Sequence, residues 1–219
     1  MSVFRLIAIL LIAALIAGIG YDLRRRMKSW KAAGNFLRLR FRDSRHGKGN
    51  TGGLDNLRRI VTIVSTALFL ILAFTGFFPA LLLGSHLSGV LLVAHVTTAP
   101  LFALSLSALA LLWAHRLRFD EMDWRTAEGF GRREFPGKDA LVRFAVKVGF
   151  WVVLLLSLPL MLTVILGLFP LFGTEGEALL IRLHGYSALL LMITALGEIY
   201  VIVTYVEHTT KQPFKEQTQ

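Results

Sequence analysis

The sequence predicts an all-α integral membrane protein with five transmembrane helices. Hydrophobic residues make up 55% of the 219-residue chain and charged residues only 17%, which is far from the balance of a soluble domain. Five apolar runs are long enough to cross a hydrocarbon core of about 30 Å as helices. Because unpaired backbone is not tolerated in lipid and these runs are too long for barrel strands, the pattern predicts helices.

The first run forms an N-terminal transmembrane helix within residues 1–21, with its apolar part at 3–20. A cleaved signal peptide has a similar length, but its cleavage would export the arginine cluster at 24–26, against the positive-inside rule. We therefore expect a retained helix. Residues 22–57 follow as a basic, glycine-rich cytoplasmic loop, and this composition favours contact with anionic membrane lipid or a partner subunit.

The other four runs predict a four-helix bundle over residues 58–208. Short connections around Pro79 and Pro170 pair these runs into two hairpins. Residues 209–219 form a cytoplasmic tail. The predicted bundle helices cover residues 58–83, 88–113, 143–169 and 179–206.

The distribution of lysine and arginine sets the predicted orientation. One side of the predicted membrane carries 22 of these 24 residues, and the other side carries only Arg5 and Arg182. Since basic connections stay in the cytoplasm, the multi-pass chain is predicted to have its N-terminus outside and its C-terminus inside. The net charge of +10 follows from this topology, so we expect no nucleic-acid partner.

The chain contains no cysteine. This excludes disulfides, thiolate metal sites, iron–sulfur clusters and covalently attached c-type haem. The sequence shows no nucleophile arrangement and no phosphate-binding loop, so no catalytic residue is predicted. Any metal must therefore be bound by histidine, methionine or carboxylate side chains.

The two hairpins resemble each other and place one histidine each at a similar depth. A Gly-x-Phe-Pro motif ends the first helix of each hairpin; His95 follows Pro79 by sixteen residues, and His184 follows Pro170 by fourteen. Parallel repeats would bring the two histidines onto adjacent helices in the outer half of the membrane. A single membrane histidine can simply bond a carbonyl oxygen, but two facing neutral imidazoles can bind the iron of a b-type haem.

Three further residues are candidates for the same region. His86 is an alternative ligand, but it lies nine residues before His95 and so on the opposite helix face, which favours an interfacial position. Arg182 stands where haem propionates would reach the interface, and a lipid phosphate is an equal alternative. Glu198 is an intramembrane carboxyl group, interpreted either as protonated and hydrogen-bonded or as a protonation group near a quinone.

Over residues 58–208 the chain resembles the b-type cytochrome subunits of membrane formate dehydrogenases, nickel–iron hydrogenases and thiosulfate reductases, within the b561-like four-helix group. The matching features are Arg59, the Thr75-Gly76 pair, His95 with a small residue four positions later, and the closing helix LHGYSALLLMITALGEIY. The resemblance implies a haem b that transfers electrons in the bacterial inner membrane. The implied partners are menaquinone or ubiquinone and a redox subunit, either a multihaem cytochrome c or an iron–sulfur protein.

The chain departs from that family at two positions. Four histidines in the family bind two haems, but here the Arg-x-x-His motif ends in Thr62, and Glu198 replaces the second histidine of the last helix. Both positions belong to the cytoplasmic haem. The resemblance therefore implies that one haem is lost and that the outer haem remains on His95 and His184. Thr62 and Glu198 would line the region of the lost haem, where they could hydrogen-bond each other, bind a quinone head group or admit water.

These observations give three hypotheses of different classes. The first is an electron-transfer subunit with one non-covalent haem b and no independent catalytic centre. The second is a haem-free membrane anchor or assembly subunit of a redox complex. The third is a small transporter that uses Glu198 as its coupling carboxylate, which would require a polar path along several helices.

Overall fold

The computed structural model describes residues 3–26, 53–85, 87–132, 137–169 and 171–211. Within these ranges the chain forms six α-helices and no strand. The helices are α1 (Val3–Arg26), α2 (Gly53–Phe77), α3 (Gly89–Trp113), α4 (Glu121–Arg132), α5 (Lys138–Gly167) and α6 (Gly173–Lys211). All except α4 are long and apolar enough to span a membrane, which agrees with the five predicted helices. Most of the predicted basic loop, residues 27–52, lies outside the described ranges.

Four helices extend beyond their predicted ends. The helix α1 ends at Arg26 rather than by residue 21, and α2 begins at Gly53 rather than 58. The helix α5 begins at Lys138 rather than 143, and α6 begins at Gly173 rather than 179 and continues to Lys211. Hydropathy marks where the chain is apolar, whereas a helix continues through polar residues that suit its ends. Glu175 in the first turn of α6 is such a residue, because a carboxylate is favourable at a helix N-terminus.

A π-helical turn, Phe78–Leu83, continues α2 to the connection of the first hairpin. Proline lacks the N–H that the regular α-helical pattern would use, so the turn around Pro79 widens. The Pro79 carbonyl accepts a hydrogen bond from the N–H of Gly84. Gly84 then ends the helix in the left-handed conformation, at φ +64°.

The four long helices after α1 pack as two antiparallel hairpins, α2 with α3 and α5 with α6. Each hairpin is closely packed internally, and the two hairpins meet through far fewer residues. The buried apolar residues of the bundle are Ala73, Phe102, Leu106, Phe150, Leu189 and Leu191. The outward faces carry exposed large apolar side chains such as Leu104, Leu111 and Leu155. Soluble proteins seldom expose so much contiguous apolar surface.

The helix α1 packs against both hairpins near their connections. The ring of Phe4 meets that of Tyr186 edge to face at a centroid distance of 5.2 Å and covers Gly185 on α6. The Nε of Arg5 donates a 2.8 Å hydrogen bond to the carbonyl oxygen of Leu81 in the first hairpin. The two hairpin connections therefore lie at the same end of the bundle, and α1 joins them there.

The helix α4 was not predicted from the sequence. It is too short and too polar to cross a membrane, so a search for apolar runs misses it. Its start is fixed by a reciprocal cap in which Asp120 Oδ1 accepts from the Asp123 N–H at 3.0 Å and Asp123 Oδ2 accepts from the Asp120 N–H at 2.7 Å. Lys147 on α5 bonds both carboxylates and so holds α4 against the second hairpin.

Candidate functional site

The structure brings His95 and His184 together across the two hairpins. His95 lies on α3 and His184 on α6, and both side chains are half-buried. Their ring centroids are 6.4 Å apart, with an angle of 73° between the ring planes. The hairpin repeat placed them on adjacent helices at similar depth, and the structure shows them in that arrangement.

Each of these histidines bonds a threonine of its own hairpin. Thr75 on α2 lies 2.9 Å from the Nδ1 of His95 through its Oγ1. Thr163 on α5 lies 3.2 Å from the Nδ1 of His184 in the same way. The carbonyl oxygen of Leu160 is a second neighbour of the His184 Nδ1, at 3.3 Å. The two sites are therefore alike. In each hairpin, a threonine on the first helix bonds the imidazole on the second helix.

A glycine lies beside the first of these imidazoles. A Cβ atom placed on Gly76 would be 3.3 Å from the Cε1 of His95 and 3.7 Å from its Nδ1. A larger side chain here would push the ring away from Thr75, which is the preceding residue on α2. The Thr75-Gly76 pair thus gives the ring both a hydrogen-bond acceptor and the space to reach it.

The hydrogen bonds of the two threonines favour one protonation state of the rings. The Thr75 hydroxyl lies 2.8 Å from the Ile71 carbonyl oxygen, and that of Thr163 lies 2.8 Å from the Leu160 carbonyl oxygen. A hydroxyl has one hydrogen, so a threonine that donates it to a carbonyl can only accept from the imidazole. This pattern favours the hydrogen on each Nδ1 and a lone pair on each Nε2, and at His184 the Leu160 carbonyl oxygen, which can only accept, favours the same state. This is the tautomer that binds a metal through Nε2.

Within the ranges that the structure describes, the histidine pair is not part of a larger cluster of metal ligands. Among the described residues, no group of three or more His, Cys, Asp or Glu side chains could bind a metal ion. The protein thus offers two imidazole ligands at this site, which is too few for a tetrahedral zinc site made only of side chains.

Glu198 lies at the contact between α5 and α6, further along α6 than His184. A Cβ atom on Gly149 of α5 would lie 3.3 Å from the carboxyl carbon of Glu198. Glu198 follows His184 by fourteen residues and Gly149 precedes Thr163 by fourteen, so the two contacts lie about 21 Å apart along one antiparallel pair. Within the described part of the chain, the Glu198 carboxyl group forms no hydrogen bond and no ion pair.

Thr62 is not bonded to Glu198. Its hydroxyl donates to the carbonyl oxygen of Arg58 at 2.8 Å and accepts from the Nε1 of Trp113 at 3.2 Å. These bonds tie Thr62 to the first hairpin, where Trp113 ends α3. The hydrogen bond considered between Thr62 and Glu198 is therefore absent, because Thr62 already has two partners in its own hairpin.

The remaining predicted residues do not join the histidine pair. Arg182 is exposed, and its Nε donates to the carbonyl oxygen of Ala178 one turn earlier on α6, at 3.2 Å. His86, the alternative ligand, lies outside the described residues. The Arg5 side chain of α1 bonds the connection of the first hairpin, and sequence reasoning gave it no role.

Sequence reasoning named Thr75 only as part of the Thr75-Gly76 family feature, without a role, and missed Thr163. Threonines in membrane helices commonly bond the carbonyl of the preceding turn, so a threonine alone carries no functional signal. The informative signal is the spacing, because Thr75 precedes His95 by twenty residues and Thr163 precedes His184 by twenty-one. The prolines used to align the hairpins give a poorer match, sixteen residues against fourteen.

Comparison with known proteins adds no family to this description: the chain matches no family model, no characterised protein and no solved structure.

Proposed function

We propose that this protein is a membrane b-type cytochrome that binds one haem b between His95 and His184. The observation that carries the proposal is the matched hydrogen bonding of the two rings. In each hairpin a threonine lies at the Nδ1 of the histidine, which favours two neutral imidazoles with Nε2 lone pairs a short distance apart. A bound haem b would supply a one-electron carrier, and His95 and His184 would be the residues that hold it.

The separation of the rings is close to that of two imidazoles that hold one metal ion. An imidazole nitrogen binds a transition metal at about 2 Å and lies about 1.1 Å from the ring centroid, so two opposed imidazoles have centroids roughly 6 Å apart. The observed separation is 6.4 Å. Two aromatic rings in simple edge-to-face contact have a similar separation, so the distance by itself does not select a metal. The hydrogen bonds make the difference, since they leave a coordinating nitrogen on both rings.

The small number of protein ligands also favours a porphyrin. A porphyrin brings four nitrogen ligands of its own and needs only two from the protein, which is what the described residues provide. The sparse contact between the hairpins agrees with a flat group that both hairpins face. One histidine then comes from each hairpin, so haem binding would join the two halves of the bundle.

We assign the protein to the bacterial inner membrane, with the N-terminus outside and the C-terminus in the cytoplasm. Five long apolar helices and their exposed apolar faces support a multi-pass membrane protein. The excess of lysine and arginine in the connections opposite the histidine end supports this orientation. The histidine pair then lies in the outer half of the membrane.

Electron exchange with a quinone is proposed for the inner half of the bundle. Menaquinone or ubiquinone needs a proton for each electron that it takes up. Glu198 is a carboxyl group at the same α5–α6 contact as His184, and it has no bonding partner among the described residues. Electrons would pass between this quinone and a redox subunit, a multihaem cytochrome c or an iron–sulfur protein. The resemblance to b-type cytochrome subunits supports both partners.

The haem assignment is tested with reduced-minus-oxidised spectra of the purified protein and its variants. We expect the parent to show a low-spin b-type spectrum, and His95→Ala and His184→Ala to lose it. His115→Ala is the matched control, because His115 is exposed at the opposite end of the bundle and should leave the spectrum unchanged. A parent without haem would refute the proposal and favour a haem-free anchor. Two alanine variants with the parent spectrum would refute the ligand assignment.

The quinone site is tested by following oxidation of the reduced haem after mixing with a short-chain quinone. Glu198→Gln should slow this oxidation by about 100-fold, the lower range of a lost proton-transfer group. Glu175→Gln, at the exposed start of α6, is the matched control and should react like the parent. Equal rates for Glu198→Gln and the parent would remove Glu198 from the quinone reaction.

A further inference from the structure

We propose that Thr75 and Thr163 are positioning residues that fix the tautomer and the orientation of the two haem ligands. This inference rests on the proposed haem function and adds residues that neither the hairpin repeat nor the family resemblance assigned a role. Each threonine would act through the histidine that it bonds, and neither would touch the iron.

The chemistry begins with the single hydrogen of each hydroxyl group. Thr75 donates it to the Ile71 carbonyl at 2.8 Å, and Thr163 donates it to the Leu160 carbonyl at 2.8 Å. The hydroxyl oxygen then presents only lone pairs to the Nδ1 of the histidine. A histidine with Nε2–H instead of Nδ1–H would require the hydroxyl to give up its bond to the backbone carbonyl, so the threonine favours the metal-binding tautomer.

The burial of both threonines makes this selection effective. Thr75 is 4% exposed and Thr163 is 6% exposed, so water does not replace either hydroxyl as the acceptor. A buried Nδ1–H without an acceptor costs free energy, which strengthens the preference for the observed ring orientation. Each ring is thus held at one edge before any ligand binds.

Other threonines of the same helices show that a hydrogen bond to the backbone does not by itself give a threonine an imidazole partner. Thr66 on α2 and Thr194 on α6 also donate to the carbonyl four residues earlier. Their hydroxyl groups are exposed, and no hydrogen bond between either of them and an imidazole occurs in the described part of the chain. The combination of a back-bonded hydroxyl, burial and an imidazole partner occurs at Thr75 and again at Thr163.

The hydrogen bonds should also affect the haem electronically. An imidazole whose Nδ1–H is bonded to an acceptor is a stronger donor through Nε2, and a stronger donor stabilises the ferric form. Removing the acceptor should therefore raise the midpoint potential of the haem. It should also loosen the ring, and loss of a hydrogen bond to a metal-binding histidine typically lowers affinity by about 10- to 100-fold.

The test uses Thr75→Val and Thr163→Val, which keep the side-chain shape and remove the hydroxyl group. We expect each variant to bind haem about 10- to 100-fold more weakly and at a more positive midpoint potential. Thr75→Ser restores the hydroxyl and should return both properties toward the parent. Thr66→Val and Thr194→Val are the matched controls and should behave like the parent. Parent-like affinity and potential in both buried valine variants would overturn the inference.

A second readout separates this inference from the haem proposal. Nitrogen-15 spectra of the haem-free full chain, labelled at histidine, report directly which ring nitrogen carries the hydrogen. We expect Nδ1–H at His95 and His184 in the parent and a mixture of tautomers in the valine variants. An Nε2–H tautomer in the parent would overturn the inference even if haem binds. Absence of haem from a protein with the expected tautomers would refute the proposed function and leave the threonine assignment standing.

Discussion

Replacing Gly84 with alanine should destabilise the fold through two separate effects. Gly84 adopts φ +64°, and an ideal Cβ there would overlap the Nη1 of Arg5. The added methyl group is therefore strained by the backbone and overlaps the guanidinium group. Since that group is the flexible end of a side chain, it can move away, but it then leaves its hydrogen bonds to the carbonyl oxygens of Leu81 and Leu82.

The magnitude follows from these two effects. A left-handed conformation costs a residue with a Cβ about 1–2 kcal/mol relative to glycine. A hydrogen bond from a charged donor contributes about 1.5–3 kcal/mol. Only the part-buried Arg5–Leu81 bond is counted, because the Arg5–Leu82 bond is exposed. Gly84→Ala should therefore lower the free energy of unfolding by about 2.5–5 kcal/mol, adding the two ranges.

Two other glycines provide matched controls for the backbone effect. Gly89 and Gly173 have φ of +60° and +63°, and a Cβ at either position would meet nothing within 4 Å. Their alanine variants should lose about 1–2 kcal/mol each. The variant Arg5→Met removes the displaced hydrogen bonds, so Gly84→Ala in that background should also cost about 1–2 kcal/mol.

The assay is unfolding of the purified protein in mixed detergent and dodecyl sulfate micelles, followed by circular dichroism. The double-mutant cycle of Gly84→Ala with Arg5→Met should give a coupling energy of about 1.5–3 kcal/mol. A Gly84→Ala variant no less stable than Gly173→Ala, or a coupling energy near zero, would refute the reasoning. Either result would mean that Arg5 does not tie α1 to the first hairpin.

Three other predictions follow from single contacts. Arg182→Ala should leave haem content and midpoint potential unchanged, because Arg182 is exposed and bonds its own helix; a loss of haem would restore its assignment to the propionates. Tyr200→Phe should cost about 1.5–3 kcal/mol in the same unfolding assay, since its hydroxyl donates to Asp22 Oδ2 at 2.6 Å; an unchanged stability would contradict this. The hydrogen bond from Lys147 lowers the pKa of Asp120. This contact therefore stabilises the fold above the ordinary carboxyl pKa, and the stabilisation is lost as the pH falls through the lowered pKa of Asp120. Lys147→Met should flatten the acid side of the stability profile, and an unaltered profile would count against the pair.

The long helices could be predicted because hydropathy over about 20 residues reports them directly. The helix α4 could not be found in this way, although the Asp120 and Asp123 pair is a recognisable capping signal. The position of α1 was also beyond the sequence. The apolar residues of α1 are distributed around the whole helix, so the sequence does not show which face packs against the bundle. The contacts of Phe4 with Tyr186 and of Arg5 with Leu81 therefore could not be predicted.

The candidate site was predictable to the extent that charge and polarity are rare in membrane helices. His95 and His184 stood out because an imidazole in lipid needs a partner, and the repeat indicated the partner. Thr75 was noted only within the Thr75-Gly76 family feature and Thr163 was not noted, because a threonine can satisfy its hydroxyl within its own helix. The partners of Thr62 also could not be predicted. Its hydrogen bonds with Arg58 and Trp113 depend on helix packing, which residue spacing alone does not reveal.

The central claim is that one chain binds one haem b through His95 and His184. A pyridine-haemochrome determination on the purified protein, combined with its measured concentration, tests this most directly. We expect one b-type haem per chain. A value of zero would contradict haem binding, and a value of two would contradict the loss of the second site at Thr62 and Glu198.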